Sequence, residues 1–134
     1  MPPERPSLFI VDDNEGLRAS LADLFDDAGI EVVGEAGDAA EALRKVPPAA
    51  YLHVPLVVLM DMRMPGRVNG IEATRLLLDR CDGLRVLMFT AFGGPAIESA
   101  ARAAGAVDVL TKGIPAAEIV AAVQRAWSGV PVTR

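Results

Sequence analysis

The chain has 134 residues, a net charge of -5, 51% hydrophobic and 23% charged residues, which is about one globular domain with material for a full core. This balance excludes a disordered chain, the acidic charge excludes a free-standing nucleic-acid binder with a basic face, and the single cysteine, Cys81, excludes a disulfide framework or a multi-cysteine zinc site. No run approaches the roughly 18 apolar residues of a membrane span, and the start lacks the apolar core of a secretory signal, so a cytoplasmic domain without a membrane partner is expected.

Residues 1–6 read as a disordered N-terminal segment, and an alternation of short apolar runs and helical periodicities follows. Ser7–Val11 (SLFIV) predicts a strand. Asn14–Ala28 predicts a helix with Leu17, Leu21, Leu24, Phe25 and Ala28 on one face, stopped by Gly29. Ile30–Ala36 predicts a second strand. Asp38, with Glu41 three residues on, opens a short helix that Pro47 and Pro48 are expected to end. Leu56–Met60 (LVVLM) is the third strand and the most apolar. A loop over 61–69 leads to a helix over Gly70–Arg80, opened by Asn69 and Glu72. Leu84–Phe89 is the fourth strand. Gly93-Gly94-Pro95 starts an alanine-rich helix reaching Ala104, with proline at a first-turn position. Val107–Leu110 is the fifth strand, and Pro115 opens the last helix, with Ile119, Val123 and Ala126 on one side.

Five βα units in series predict an α/β fold with a single five-stranded parallel sheet, doubly wound by helices on both faces. Strands one, three and four are nearly continuous apolar runs, as central strands are. The second carries Glu31 and Glu35 and the fifth carries Asp108, which marks them as edges. The expected order is 2-1-3-4-5, a flavodoxin-like arrangement. The rival order 3-2-1-4-5 would leave LVVLM at an exposed edge.

In such a sheet ligands bind beyond the carboxyl ends of the strands. Strand one ends in Asp12 and Asp13, strand three in Asp61, strand four in Thr90, and strand five near Lys112. Two like charges 4 Å apart cost about 4 kcal/mol at an effective dielectric near 20. A hard divalent cation such as Mg2+, which takes oxygen ligands and bridges carboxylates to phosphate, would offset that repulsion. With a hydroxyl and an ammonium added, these groups can hold a phosphoryl group, with Asp61 as nucleophile, Lys112 neutralising phosphoryl oxygens and Thr90 hydrogen-bonding one of them.

The stretches VDDNEGLR at 11–18, LMDMRMPGRVNGIEATR at 59–75, TA at 90–91 and TKG at 111–113 together resemble the response-regulator receiver domains of two-component phosphorelay signalling. The resemblance covers residues 7–128 and is strongest to the receivers of NarL/LuxR-type transcription regulators. It implies that Asp61 accepts a phosphoryl group from a sensor histidine kinase, forming an aspartyl phosphate. It implies that Asp13, Asp61 and the backbone carbonyl of Arg63 ligate Mg2+, with Asp12 acting mostly through water. Thr90 and Lys112 become the switch hydroxyl and the phosphoryl-pairing lysine. Output, and a homodimer, would use the fourth helix, fifth strand and fifth helix. Such a domain is a phosphoacceptor with self-catalysed phosphorylation and dephosphorylation, not an enzyme with a separate substrate. Residues 129–134 read as a tail or the start of a linker. The expectation is therefore either the receiver of a longer regulator, whose output domain would bind DNA, or a free-standing receiver.

Three positions depart from the family pattern. Val109 stands where an aromatic residue is usual, Gly113 follows the lysine, and the loop between Pro65 and Gly70 is one residue longer than the commonest form. A haloacid-dehalogenase-like phosphohydrolase would also use a strand-end aspartate, but needs an acid two residues further on, where this chain has Arg63. A phosphorylation-independent interaction domain is the third reading. His53, Cys81 and Trp127 read as surface or packing residues, and Gly93-Gly94 matches no nucleotide-binding loop pattern.

Overall fold

A computed structural model of the chain describes residues 5–129. Ten elements alternate: β1 (Ser7–Val11), α1 (Glu15–Asp27), β2 (Glu31–Ala36), α2 (Ala39–Leu52), β3 (Leu56–Asp61), α3 (Gly70–Arg80), β4 (Leu84–Thr90), α4 (Pro95–Ala103), β5 (Asp108–Thr111) and α5 (Ala116–Ser128). The five strands form one parallel sheet in the order β2-β1-β3-β4-β5, as the distribution of apolar runs predicts.

The strict alternation of strand side chains splits the core into two layers. Leu8, Ile10, Val57, Leu59, Leu87 and Phe89 pack under Leu21 and Phe25 of α1 and Ile119 and Val123 of α5. Phe9, Val11, Val58, Met60, Val86 and Met88 pack under Ala42 and Val46 of α2, Ala73 and Leu77 of α3, and Ala101 of α4. Fully burying one such large side chain contributes about 1.5–3 kcal/mol. Asn14, Asp38 and Asn69 cap α1, α2 and α3 by accepting from the amides of Leu17, Glu41 and Glu72 at 2.7–2.9 Å, each worth about 1 kcal/mol. At the other end of the fold, the Arg85 guanidinium donates to the carbonyls of Ala126 and Trp127 and satisfies the last turn of α5.

Three details differ from the sequence reading. The second helix does not end at Pro47-Pro48 but runs through both to Leu52. The prolines remove two helix hydrogen bonds, whose acceptors would be the carbonyls of Leu43 and Arg44. Val46 and Ala50, buried on one face on either side of that break, hold the helix together. Asp108 was expected to mark an exposed edge. The strand is an edge, but the Asp108 side chain is buried, accepting from the Val109 amide at 2.8 Å and from Arg102 at 3.1 Å. The expected disordered segment 1–6 falls mostly outside the described residues, but the Pro6 carbonyl accepts from Glu31 N and Arg5 Nε donates to the Gly29 carbonyl. The ordered chain therefore begins ahead of β1. Of the expected tail 129–134, only Gly129 is described, as the left-handed C-cap of α5.

Candidate functional site

Strand register assembles the candidate site. Val11 pairs with Met60, so Asp12 and Asp13 emerge beside Asp61 at the end of β3. Thr90 ends β4 and pairs with Thr111, so Lys112 follows immediately on the far side. All the strand-end residues singled out from the sequence thus gather on one rim. One carboxylate oxygen from each of Asp12, Asp13 and Asp61 lies within 4.8 Å of the others. Asp12 and Asp61 are buried and Asp13 is exposed, which leaves one side of the cluster open to solvent.

The Lys112 ammonium bridges two of the three acids, 2.9 Å from Asp12 Oδ2 and 3.3 Å from Asp61 Oδ1. It also sits 5.6 Å from the centre of the Phe89 ring. Burial disfavours the ammonium, but the hydrogen bond and charge of Asp12, with those of Asp61, outweigh it and hold the Lys112 pKa above its usual value. Asp61 is perturbed the other way. Burial first, and the Asp12 charge second, push its carboxyl from 3.8 up to about 6, against the opposing pull of Lys112 and the Arg63 amide. One lysine against three acids leaves the pocket short of positive charge. A cluster of carboxylate oxygens open on one side suits a hard divalent cation such as magnesium, which keeps several waters and leaves room for phosphate.

The hydroxyl of Thr90 is buried and turned back on its own loop, where its Oγ1 accepts from the Phe92 amide at 3.2 Å. Its carbonyl accepts from Lys112 N at 2.7 Å. Phe92 itself is 68% exposed, and the Arg63 guanidinium lies 5.7 Å over its ring. The two side chains come from the loops that follow β3 and β4, two residues after Asp61 and Thr90 respectively. Val109 is half-buried against the layer containing Met88 and Ala101.

Three supporting residues were not singled out from the sequence. Arg18 donates from Nη1 to the Asp12 carbonyl at 2.6 Å and from Nε to Glu35 at 3.2 Å, fixing the end of β1 against β2. Its place one helical turn after Asn14 is a detectable signal. Phe89 lies under Lys112 because alternation turns it toward the α5 layer. Gly70 is a matter of space: a Cβ there would run into the backbone carbonyl of Asp61 and lie 2.9 Å from Met62 Cα. The Gly70 amide donates to the Met62 carbonyl at 2.9 Å, so α3 begins tightly against the backbone that carries Asp61.

The residues read as bland stay away from this rim. His53 is the C-cap of α2, at the opposite end of the sheet. Cys81 is buried, which pushes its thiol pKa up, away from the reactive thiolate form. Trp127 packs against the α1/α5 layer. No described helix is long and apolar enough to cross a membrane.

Comparison with known proteins gives a consistent picture. The chain is 40% identical over 123 residues to the DNA-binding transcriptional activator DevR/DosR of Mycobacterium tuberculosis, covering 91% of this chain and 54% of that protein. It thus spans about half the length of the curated relatives it matches. The signal receiver domain of the putative response regulator NarL from M. tuberculosis superimposes with a TM-score of 0.83 at 33% identity, covering 95% of this chain and 99% of that one. A LuxR-family two-component response regulator from Aurantimonas superimposes with a TM-score of 0.85, also at 33% identity, covering 97% and 90%. The family model for the response regulator receiver domain matches residues 8–124, so the chain belongs to the response regulator receiver domain family.

Proposed function

We propose that this receiver, acting in the cytoplasm, accepts a phosphoryl group on Asp61 from a sensor histidine kinase and that the aspartyl phosphate switches the α4–β5–α5 surface. The observation that carries the reading is the shared lysine: Lys112 spans Asp12 and Asp61 within a three-carboxylate cluster at the strand ends, one residue past the pairing partner of Thr90. An Asp61 carboxylate oxygen attacks phosphorus, the bond to the donor imidazole nitrogen breaks, and that nitrogen leaves with the electron pair. Asp13, Asp61 and the Arg63 backbone carbonyl would hold Mg2+, with Asp12 acting through water, and the ion supplies positive charge to the phosphoryl oxygens. Lys112 exchanges its carboxylate partners for a phosphoryl oxygen. The Thr90 hydroxyl leaves Phe92 and donates to another, and that movement carries the signal into the β4–α4 loop.

The mass of the intact chain after incubation with magnesium and a small acyl-phosphate donor tests the assignment. Wild type is expected to gain one phosphoryl group and Asp61→Asn none. Equal gain by the mutant would refute Asp61 as acceptor. By analogy with the DNA-binding relative, the switched surface would control a DNA-binding output domain, directly or by forming a homodimer.

Phe92 and Arg63 set the lifetime of the phosphorylated form. The Phe92 side chain offers no hydrogen bond to orient an attacking water, and its ring, with the Arg63 guanidinium 5.7 Å from its centre, would shield the acceptor. Positioning that water is much of the catalysis of hydrolysis. Phe92→Gln should therefore raise the first-order dephosphorylation rate in magnesium several-fold. A rate no higher than wild type would remove Phe92 from the account, and Arg63→Asn would then show whether Arg63 alone gives the protection.

A further inference from the structure

The two ends of α4 are held very differently. At its C-terminal end, Arg102 Nη2 donates to Asp108 Oδ1 at 3.1 Å and to Glu98 Oε1 at 3.3 Å, and Nη1 donates to the Val107 carbonyl at 3.3 Å. The Asp108 side chain is only 3% exposed. A buried carboxylate loses its water, so separating it from a guanidinium is strongly unfavourable. Ala101 is fully buried, and Ala104 and Ala106 nearly so. The chain locks behind them through bonds from Ala104 N to Ala100 O, Gly105 N to Arg102 O and Ala106 N to Ala101 O, all 3.0–3.1 Å.

Ahead of Glu98, which Arg102 holds, the N-terminal end is held more loosely. Residues 91–96 are all exposed. Gly94 stands at the N-cap with no side-chain hydrogen bond to the first turn, and its φ of 136° is a conformation that L side chains rarely adopt. Ile97 is the one large apolar side chain of the helix, and it is only partly buried. This end is tied to the sheet rim through the Thr90 hydroxyl, which accepts from the Phe92 amide and donates to the Phe92 carbonyl, both at 3.2 Å.

We infer that α4 is a lever, pinned to β5 at its C-terminal end by Arg102 and Asp108 and free to swing at its N-terminal end on the Gly93-Gly94 pair. Motion of the Thr90 hydroxyl then tilts the helix about a fixed pivot and does not translate it. The link to Thr90 rests on the phosphoacceptor reading, whereas the pinned and free ends do not.

Per-residue amide hydrogen exchange on the whole, metal-free, unphosphorylated chain tests the lever. The amides of Ala104 and Ala106 are expected to exchange at least about tenfold more slowly than those of Glu98 and Ser99, since exchange reports local opening. The Arg102→Met/Asp108→Asn double variant removes the pin without leaving a buried charge unpaired. It should lose most of that difference while the β4 amides of Leu87 and Met88 keep their protection. Uniform protection along α4 in wild type, or an unchanged gradient in the double variant, would overturn the lever. Should the double variant lose protection in β4 as well, the single variant Arg102→Lys decides: it keeps the charge but loses the fork, and an undiminished gradient there also overturns the proposal. No phosphoryl donor is present in these measurements, so their failure is distinct from failure of the Asp61 assignment.

Discussion

Gly70→Ala is expected to destabilise the protein by about 2–3 kcal/mol, the upper part of the range for overpacking a tight site. Two effects compete at this position. Alanine is the better helix former, by about 1 kcal/mol in a helix interior. Against that, the new methyl group would meet backbone on both sides, the Asp61 carbonyl and Met62 Cα, and not the end of a flexible side chain. Backbone cannot give way without moving α3 off the sheet and loosening the bond from the Gly70 amide to the Met62 carbonyl. The steric effect should win. A urea titration reads the change as a lower midpoint with an unaltered slope. A neutral or stabilised variant would show that α3 retreats at little cost. Because the displaced backbone carries Asp61, magnesium affinity should fall in the same variant.

The second large effect is a pH dependence that magnesium reverses. Asp61 has a pKa of about 6 in the folded protein against an ordinary 3.8. The folded state therefore binds the proton more tightly than the unfolded chain. The stabilisation this provides is complete below about pH 4 and is lost as pH rises through 6. A shift of this size corresponds to about 3 kcal/mol. With metal chelated, the stability of wild type relative to Asp61→Asn should thus decline between pH 4 and pH 7. Magnesium at ten times its dissociation constant should restore about 1.4 kcal/mol at pH 7 by linkage, and much less at pH 5, where Asp61 is mostly protonated. Asp13→Asn should keep the chelated slope and lose the magnesium gain. A wild-type difference that is flat with pH in chelator would contradict the raised Asp61 pKa. Equal magnesium gain at pH 5 and pH 7 would separate metal binding from Asp61.

The strand order was legible because burial on two faces demands unbroken apolar runs, and LVVLM admits no edge position. The acid cluster was legible for a related reason: Asp12, Asp13 and Asp61 directly follow such runs, so parallel register alone brings them together. What local pattern could not supply was tertiary compensation. Pro47 and Pro48 carry a strong helix-ending signal, yet the burial of Val46 and Ala50 outweighs two lost hydrogen bonds. Asp108 looked solvent-facing because a lone acid in a strand usually is. Its partner Arg102 lies on the preceding helix, where nothing in the sequence marks it. Gly70 belongs to the same class, since its constraint comes from the backbone of a strand nine residues earlier.

The Lys112 bridge joins residues 100 and 51 positions apart in the chain. During synthesis the N-terminal half emerges first, and Asp12 and Asp61 can be aligned by β1 and β3 while Lys112 is still unmade. Until β5 arrives on the edge of the sheet, those two carboxylates face each other without their shared counter-charge. Nascent or prematurely terminated chains ending before residue 112 therefore lack the group that would pair with an incoming phosphoryl oxygen, however well their first three strands are formed. Lys112 is thus the last of the pocket's charged groups to be made, and the pocket is complete only once β5 has joined the sheet.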